Sequence, residues 1–332
     1  MRRGFLTAPT RGRSPHLSQE EPPPEEELAW PDWSRSAFPF DGVPASGVRA
    51  EQSFTVLLNT YERPALLLRA LRHYAACGPQ VASIRVVWSE QRPPPDAATA
   101  AGAPFHLLDV SRPYLPLVRY DTHPTSSINN RFIPLEGLTT SALFSVDDDM
   151  EVPCGALADA FAAWRAAPHA LVGFYPRLHE LAAAPRGCAA PRDGVPWYRY
   201  VSAEPALLWR GRFSLLLTKA AFLHSTYLDM YTHAMPAAIR EFVGSRRECE
   251  DVAMAFLVAN ATRSGGEGVT PSVWVRPPLR FWLGAKLDGV GRSGISSGQV
   301  KGHHALRGRC VAHFARFYGG EVPLVVQPLR SA

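Results

Sequence analysis

The chain contains 332 residues, of which 46% are hydrophobic and 20% are charged. A chain of this length and composition can bury one large core, or two lobes that share one, so we exclude a tail or a fibre. Its 35 basic and 30 acidic residues are mostly interspersed, and the net charge of +5 argues only weakly for nucleic acid, which we do not expect as a partner. No run of about 18 apolar residues predicts a membrane span, and the first residues lack the apolar core of a signal peptide.

The first fifty residues differ in composition from the rest. They include "SQEEPPPEEE", which combines prolines with a block of negative charge and few apolar residues. Such a segment cannot offset the entropy cost of its own ordering. We therefore predict a flexible, stem-like segment over 1–50, with a loosely packed lead-in at its end, and a folded domain over 51–330.

Strands and helices are predicted to alternate in the folded part. Short apolar runs typical of buried strands occur at residues 54–60, 83–89, 105–110 and 141–147. A helix follows the first run, because Pro64 suits a first helical turn and apolar residues then recur on one face as far as Tyr74. This order predicts an α/β sheet with parallel neighbours.

The second half of the chain continues the alternation. "CGALADAFAAWRAA" (154–167) predicts a helix and "ALVGFYP" (170–176) predicts a strand. Later helices are predicted at residues 218–231, 236–243, 249–261 and 305–319.

Three adjacent aspartates, Asp147, Asp148 and Asp149, close the fourth predicted strand. Ligands of open α/β sheets bind beyond the carboxyl ends of the strands. Carboxylates packed this closely repel one another, and a divalent cation or solvent relieves the repulsion. One interpretation is therefore a Mg²⁺ or Mn²⁺ site that holds a nucleotide diphosphate. The alternative is an exposed acidic turn, which is the more frequent context for such a run.

The cysteines argue against a structural zinc site, because no C-x-x-C pair occurs. They lie at Cys77, Cys154, Cys188, Cys249 and Cys310. Buried thiols are the expected state, with one disulfide allowed in an oxidising compartment. The sequon "NAT" at 260–262 has meaning only in the secretory pathway.

Several segments in a fixed order carry a resemblance to a known family. They include "FTVLLNTYERPALLLRALRHY", "SSINNRFIPLEGLTTSALFSVDDDM", "ECEDVAMAFLVANAT" and "HHALRGRCVAHFARFYGGEVPLV". Over about residues 52–328 the chain resembles the exostosin-like glycosyltransferases, glycosyltransferase family 64. The resemblance implies an α/β fold of the GT-A, Rossmann-like type with a mixed sheet. Its nucleotide-sugar-binding half would be 51–150 and its acceptor-binding half 151–330.

The resemblance also implies an activity. It is the anomer-retaining transfer of an N-acetylhexosamine, GlcNAc or GalNAc, from a UDP-sugar, with Mn²⁺ or Mg²⁺ as cofactor. The acceptor would be a glycan, a proteoglycan linker or a glycolipid. We expect an ER or Golgi location from the family, membrane association only through an N-terminal anchor that this chain does not show, and an oligomer as an open option.

The donor-site residues follow from the matching motifs. Asp149 would bind the metal ion, and Asp147 and Asp148 would face ribose and sugar hydroxyls. Tyr61 would lie beside uracil, and Arg63 would reach polar edges or phosphate.

Another matching motif, "NNRF", contains Asn130 and Arg131, and its arginine would engage the nucleotide-sugar. Turn and loop chemistry is the alternative for Tyr61, Asn130 and Arg131.

The catalytic residues implied by the resemblance are Asp251 and Arg307. Asp251 would lie beside the anomeric carbon, where it could stabilise an oxocarbenium-like transition state, attack it, or orient the acceptor. The alternative is an ordinary helix cap. Arg307 would balance charge on the departing UDP, whereas His303 is expected to be structural.

The family pattern further implies a disulfide between Cys249 and Cys310 and leaves the other three cysteines as buried thiols. The chain departs from the family pattern at three positions, where Ser89, Ser126 and Glu248 each stand in place of an asparagine. Glu248 is expected to add negative charge near the acceptor site. The glycine-rich stretch 280–302 is expected to set acceptor specificity.

Two other classes of function compete with the transferase. A UDP-sugar-binding domain without activity would keep the aspartates but gain nothing from Asp251 and Arg307. A polyanion-binding module, for example for glycosaminoglycans, would need a basic stripe that we do not find in the sequence.

Overall fold

A computed structural model describes residues 51–94, 117–183, 195–202, 204–263, 269–278 and 300–330. The predicted stem at 1–50, the predicted strand at 105–110 and most of the glycine-rich stretch 280–302 lie outside the described residues.

The strands are short, as expected for a sheet buried on both faces. They are β1 (Phe54–Thr60), β2 (Val81–Trp88), β3 (Leu117–Thr122), β4 (Ala142–Asp147), β5 (Leu171–Gly173), β6 (Pro176–Ala182), β7 (Trp197–Val201), β8 (Arg212–Phe213), β9 (Leu215–Leu216), β10 (Ala220–His224), β11 (Ser272–Trp274) and β12 (Gln327–Pro328). The predicted strands at 54–60, 83–89 and 141–147 are thereby confirmed to within two residues at each end.

The helices are distributed along the whole chain. They are α1 (Pro64–Ala75), α2 (Cys154–Ala166), α3 (Glu204–Arg210), α4 (Thr226–Asp229), α5 (Ala237–Arg246), α6 (Glu250–Thr262) and α7 (Val300–Ala315). Two 3-10 turns, Ile128–Phe132 and Arg316–Tyr318, and a π-helical turn, Met230–Ala234, complete the helical elements of the described residues. Among these helices, none combines the length and the apolar character needed to cross a bilayer.

The main sheet has seven strands in the order β11-β5-β10-β4-β1-β2-β3. The pairs β4–β1, β1–β2 and β2–β3 are parallel, whereas β10 pairs antiparallel with both β4 and β5. The sheet is therefore mixed, and the chain has an α/β fold. Two small sheets, β7-β6-β9 and β12-β8, stand apart from it.

The hydrophobic core has two layers, one on each face of the main sheet. Alternate residues of β1 divide between them, because Val56 and Leu58 pack with α1 and α2 while Leu57 packs with α6 and α7. Helix α6 is buried around almost its whole circumference, so it forms the centre of the second layer.

One predicted helix is wrong. Residues 218–231 form the strand β10 first and become helical only from Thr226. The alanines and leucines of this run favour a helix locally, but Ala220 and Leu223 are fully buried between β4 and β5, and pairing in the sheet outweighs that preference. The predicted strand 170–176 is also interrupted, since β5 ends at Gly173 and β6 starts a different sheet.

The disulfide prediction is half right. Cys249 and Cys310 are bonded, as the resemblance implied. Cys77 and Cys154 were expected to be thiols, but they form a second disulfide between the end of α1 and the start of α2. The sequence could not reveal this pair, because the two cysteines are 77 residues apart and approach only when both helices pack on the same face of the sheet. Cys188 lies outside the described residues.

Candidate active site

The three aspartates lie at the carboxyl end of β4. Asp147 is the last residue of that strand and is paired in register with Asn59 of the parallel neighbour β1. The backbone N–H of Asp148 donates to the carbonyl of Asn59 at 3.1 Å. Because β1 and β4 end together, the loop after β1 and the acidic turn share one edge of the sheet.

Asp148 points into the protein. Its side chain is 0% exposed, Thr60 Oγ1 donates to it at 2.7 Å, and Arg63 Nη2 forms an ion pair with it at 2.6 Å. Burial raises the pKa of Asp148 to about 6, although Arg63 and Thr60 both act to lower it. In this structure Asp148 therefore fastens the acidic turn to the β1 loop.

Asp149 and Asp147 are partly exposed, unlike Asp148. Asp149 has the longest ion pair of the three aspartates, 3.5 Å from Arg63 Nη1, and Asp147 is paired with Arg131. Ions such as Mn²⁺ or Mg²⁺ are commonly held by one or two protein carboxylates together with substrate phosphates. Asp149 therefore fits the role of a single protein ligand at the rim of the site.

Across the parts of the chain that the structure describes, the only triad of potential ligands that converges within 4.8 Å is His73, Cys77 and Cys154. Since the two sulfurs of that triad are joined in a disulfide, they are not thiolate ligands. The triad consequently does not compete with Asp149 for the assignment of a metal ion.

Arg131 connects the acidic turn to helix α6. The 3-10 turn that contains it places its side chain in the interior, where it is 2% exposed and pairs with both Asp147 and Glu250, the latter at 3.3 Å. Burial lowers the pKa of Arg131, while Glu250 and the aspartates act to raise it. The neighbouring Asn130 donates to Ser89 Oγ at 3.0 Å and to the carbonyl of Thr125 at 2.7 Å.

Tyr61 lies in the loop after β1, with about a third of its surface exposed. The guanidinium of Arg247 lies 5.7 Å from the centre of its ring. The next residue, Glu62, has a left-handed backbone (φ 52°), and its N–H donates to Glu90 at 2.8 Å. The loop is thus held by specific contacts while the tyrosine ring stays accessible.

Asp251 lies in the first turn of α6, two residues after the disulfide-bonded Cys249, which has a left-handed backbone (φ 76°). The backbone N–H of Val252 donates to its carboxylate at 2.8 Å, and Arg307 Nη1 of α7 donates to it at 2.6 Å. Burial alone would raise the pKa of Asp251, but Arg307 and the backbone bond hold it below its usual value. Asp251 is therefore an ionised carboxylate.

Arg307 has two further partners in addition to Asp251. Its Nη1 also donates to the hydroxyl of Tyr200 on β7 at 3.1 Å, and its Nε lies 3.3 Å from Glu248. Burial alone would lower the pKa of Arg307, but Asp251 and the other anionic neighbours raise it well above the usual value. The backbone of His303 lies in α7, and its side chain lies outside the described residues.

Glu250 is a site residue that the sequence did not single out. It is buried between Arg131 and Asp251, and burial together with the Asp251 charge raises its pKa to about 7. The signal was present in the "ECED" motif, where Glu250 precedes Asp251. Arg131 pairs with Glu250, whose carboxylate interacts electrostatically with Asp251 and Arg307, so the predicted donor residues and the predicted catalytic pair form one buried charge network.

A family model described as "Glycosyl transferase family 64 domain" matches residues 54–331. The chain belongs to this family. This chain is 36% identical over 282 residues to "Glycosylinositol phosphorylceramide mannosyl transferase 1" of Arabidopsis thaliana, and the match covers 85% of this chain and 77% of that protein. The resemblance inferred from the motifs is thereby confirmed.

Two longer relatives match this chain over part of their own length. "Glucosamine inositolphosphorylceramide transferase 1" of Arabidopsis thaliana is 31% identical over 81% of this chain and 30% of its own length. Human "Exostosin-2" is 30% identical over 84% of this chain and 34% of its own length. The chain thus spans about a third of these two proteins.

Proposed function

We propose that the protein is a retaining glycosyltransferase of the GT-A type that transfers an N-acetylhexosamine, GlcNAc or GalNAc, from a UDP-sugar. The observation that carries the proposal is the buried network that links the acidic turn through Arg131 and Glu250 to the Asp251–Arg307 pair. A transferase needs both parts in one cleft, since the turn holds the diphosphate and the pair acts where the bond breaks.

The donor would be held by residues at the edge of the main sheet. Tyr61 offers an accessible ring for the uracil base, and Arg63 offers a half-buried cation for its edge or for phosphate. Asn130 would act near the nucleotide-sugar through the loop that it supports. We assign Asp148 to positioning, because its carboxylate is enclosed by Thr60 and Arg63.

The sugar would lie against Asp147 and Arg131. Asp149 would hold a Mn²⁺ or Mg²⁺ ion, which when bound supplies Lewis-acid neutralisation of the diphosphate. Arg307 supplies a second positive charge. Its guanidinium stays protonated at every physiological pH, because its anionic partners raise its pKa. It would face negative charge that develops as the glycosidic carbon–oxygen bond breaks.

Asp251 would act at the anomeric carbon. The carbon–oxygen bond to the diphosphate breaks and its electron pair leaves with the diphosphate. The hydroxyl of the acceptor forms the new bond on the same face and gives its proton to an oxygen of the departing diphosphate. Two routes retain the configuration: a covalent bond to Asp251 that the acceptor then replaces, or a same-face displacement in which Asp251 stabilises the oxocarbenium ion. An ionised Asp251 suits both routes.

Of the three acceptor classes considered, namely glycans, proteoglycan linkers and glycolipids, we propose a glycolipid. Two relatives carry inositol phosphorylceramides in their names, and one of them matches 77% of its length. The same name gives a second candidate for the donated sugar, namely mannose from a nucleotide-mannose donor.

Two disulfides support a location in an oxidising compartment such as the ER or Golgi lumen. Binding without catalysis is disfavoured by the buried charges of Asp251 and Arg307, which are costly to maintain in a domain that only binds.

The test measures the binding of UDP-GlcNAc, UDP-GalNAc and GDP-mannose and the release of nucleoside diphosphate from each of them, with Mn²⁺ and with chelator. It compares the wild type with Asp149→Ala, Asp251→Asn and the control Asp159→Ala, an exposed aspartate on α2. We expect turnover of a UDP-N-acetylhexosamine only with metal, loss of donor binding in Asp149→Ala, and retained binding without turnover in Asp251→Asn.

Turnover of GDP-mannose alone would move the assignment to the second candidate. Absence of metal-dependent binding for all three donors would overturn the proposal and leave the aspartates as an acidic turn. Equal loss of activity in Asp159→Ala would show that the effects come from general instability.

A further inference from the structure

A surface rich in arginine lies on the side of the β6–β7 hairpin that faces away from the catalytic residues. Arg199 on β7 pairs with Glu180 on β6 at 2.5 Å, and Arg210 and Arg212 approach the same carboxylate at 2.9 and 3.3 Å. Among the described residues, three cations thus share the one carboxylate of Glu180, so at least two positive charges are left without compensation within this cluster.

Exposed apolar side chains border these charges. Trp209 is 85% exposed and Leu208 is 49% exposed, both on the short helix α3. The guanidinium of Arg210 lies 5.9 Å from the centre of the Trp209 ring. A tryptophan side chain is rarely this exposed, because its burial would contribute roughly 2 to 3 kcal/mol to the free energy of unfolding. We call Arg199, Arg210, Arg212, Leu208 and Trp209 the arginine–tryptophan surface.

The strand pattern explains why this surface and the catalytic residues lie on opposite sides. Residues on one face of the hairpin, including Leu178 and Val201, pack against Leu207 of α3. Tyr200 on the other face contacts Arg307. Because side chains alternate along a strand, Arg199 is directed to the α3 side, one residue away from a residue of the catalytic network.

We propose that the arginine–tryptophan surface docks the protein on a membrane whose lipids carry anionic headgroups. Arginines next to an exposed tryptophan and leucine are typical of interfacial anchors, in which cations meet lipid phosphates and the apolar side chains enter the headgroup boundary. An anionic polysaccharide would match the charge but would leave Leu208 without an apolar partner. The catalytic network would then stand one hairpin away from the lipid surface.

The inference does not depend on transferase activity, since it concerns binding alone. The experiment is flotation of the folded protein with vesicles of phosphatidylcholine, or of phosphatidylcholine mixed with phosphatidylserine, at low and physiological salt. The test variants are Trp209→Ala and the pair Arg199→Gln with Arg212→Gln, which leaves Arg210 to neutralise Glu180. Asp149→Ala is included so that a fault in the donor site is scored separately.

Matched controls come from elsewhere on the surface. Leu181→Ala removes an exposed leucine on the opposite face of the hairpin, and Arg119→Gln removes an exposed arginine on the edge strand β3 that is paired with Glu136.

We expect binding to the anionic vesicles only, a loss of about fivefold for each arginine removed, and a comparable loss in Trp209→Ala. Both controls and Asp149→Ala should bind like the wild type.

Two results would overturn the proposal. One is wild-type binding to neither vesicle, or binding that the test variants leave unchanged. The other is binding to heparin oligosaccharides that needs the arginines but not Trp209, together with no vesicle binding, which would assign the surface to an anionic polysaccharide.

Discussion

The Nε of Arg307 donates a hydrogen bond to Glu248 at 3.3 Å. Glu248 was expected to add negative charge near the acceptor, but the structure places that charge against the arginine proposed to face the diphosphate. Glu248 therefore competes with an incoming anion for Arg307, in addition to the competition from Asp251.

Glu248→Asn should bind nucleoside diphosphate more tightly than the wild type. Removal of one anion next to Arg307 strengthens its attraction for the product, and we expect a gain in affinity of at least about threefold. The measurement is calorimetric titration with UDP at constant salt. Glu321→Asn is the control, because Glu321 is exposed and pairs with the remote Arg263. Equal UDP affinity in Glu248→Asn and the wild type would contradict this account.

The two disulfides should contribute similarly to stability but differently to activity. They close loops of 77 and 61 residues, so the chain-entropy model assigns each about 4 kcal/mol of unfolding free energy. Only Cys249 adjoins the acidic start of α6, where its left-handed backbone sets the position of Asp251.

We therefore expect Cys77→Ala with Cys154→Ala to keep donor turnover at temperatures where it is folded. Cys249→Ala with Cys310→Ala should lose turnover even below its melting temperature. Urea unfolding and turnover of each double variant provide the check, and the reverse pattern of activity would refute it.

Gly308 should tolerate no side chain. A Cβ at this position would lie 2.4 Å from the carbonyl oxygen of Tyr198, so α7 would have to move away from β7. Such a shift separates the neighbouring Arg307 from Tyr200, and we expect Gly308→Ala to lose about 1 to 3 kcal/mol of stability and most turnover. Gly155→Ala is the control, because open space surrounds that Cβ and alanine favours the helix by up to about 1 kcal/mol. Comparable losses in both variants would count against the close contact.

His313 should make the folded state sensitive to acid. Its ring stacks on Phe242 with centroids 4.0 Å apart, and burial, with the nearby Arg316 and Arg246, lowers its pKa to about 4. The unfolded chain, with a histidine pKa near about 6.5, then binds the proton more readily, so stability falls as pH decreases from 6.5 towards 4.

The comparison is between the wild type and His313→Gln in urea unfolding near pH 7 and near pH 5. We expect the wild type to lose about 2 kcal/mol more than the variant over this interval. Glu250 has the opposite dependence, because its raised pKa favours folding at lower pH, but it acts in both proteins and cancels in the difference. Parallel pH curves for the two proteins would show that His313 is not buried in its neutral form.

Much of the first half of the fold could be predicted from local pattern. The sequences of β1 and β4 are apolar runs that end in turn-forming or charged residues. The alternation of strands with helices or loops predicts that these two strands pair in parallel. β10 could not be predicted, because its alanine- and leucine-rich residues favour a helix until they are placed between β4 and β5. Local propensity differs by only a fraction of a kcal/mol per residue, which burial in a sheet readily outweighs.

The candidate site divides in the same way. The sequence by itself determined that carboxylates would stand at the end of a buried strand and that an acidic motif would open a helix, because both features lie within one short segment. Only the tertiary structure decided that Asp148 points inward, that Glu250 joins the two parts through Arg131, and that Cys77 meets Cys154. Each of these contacts joins segments that are far apart in the chain, so it depends on the packing of whole elements. Such a contact produces no periodic pattern in the local sequence from which it could be predicted.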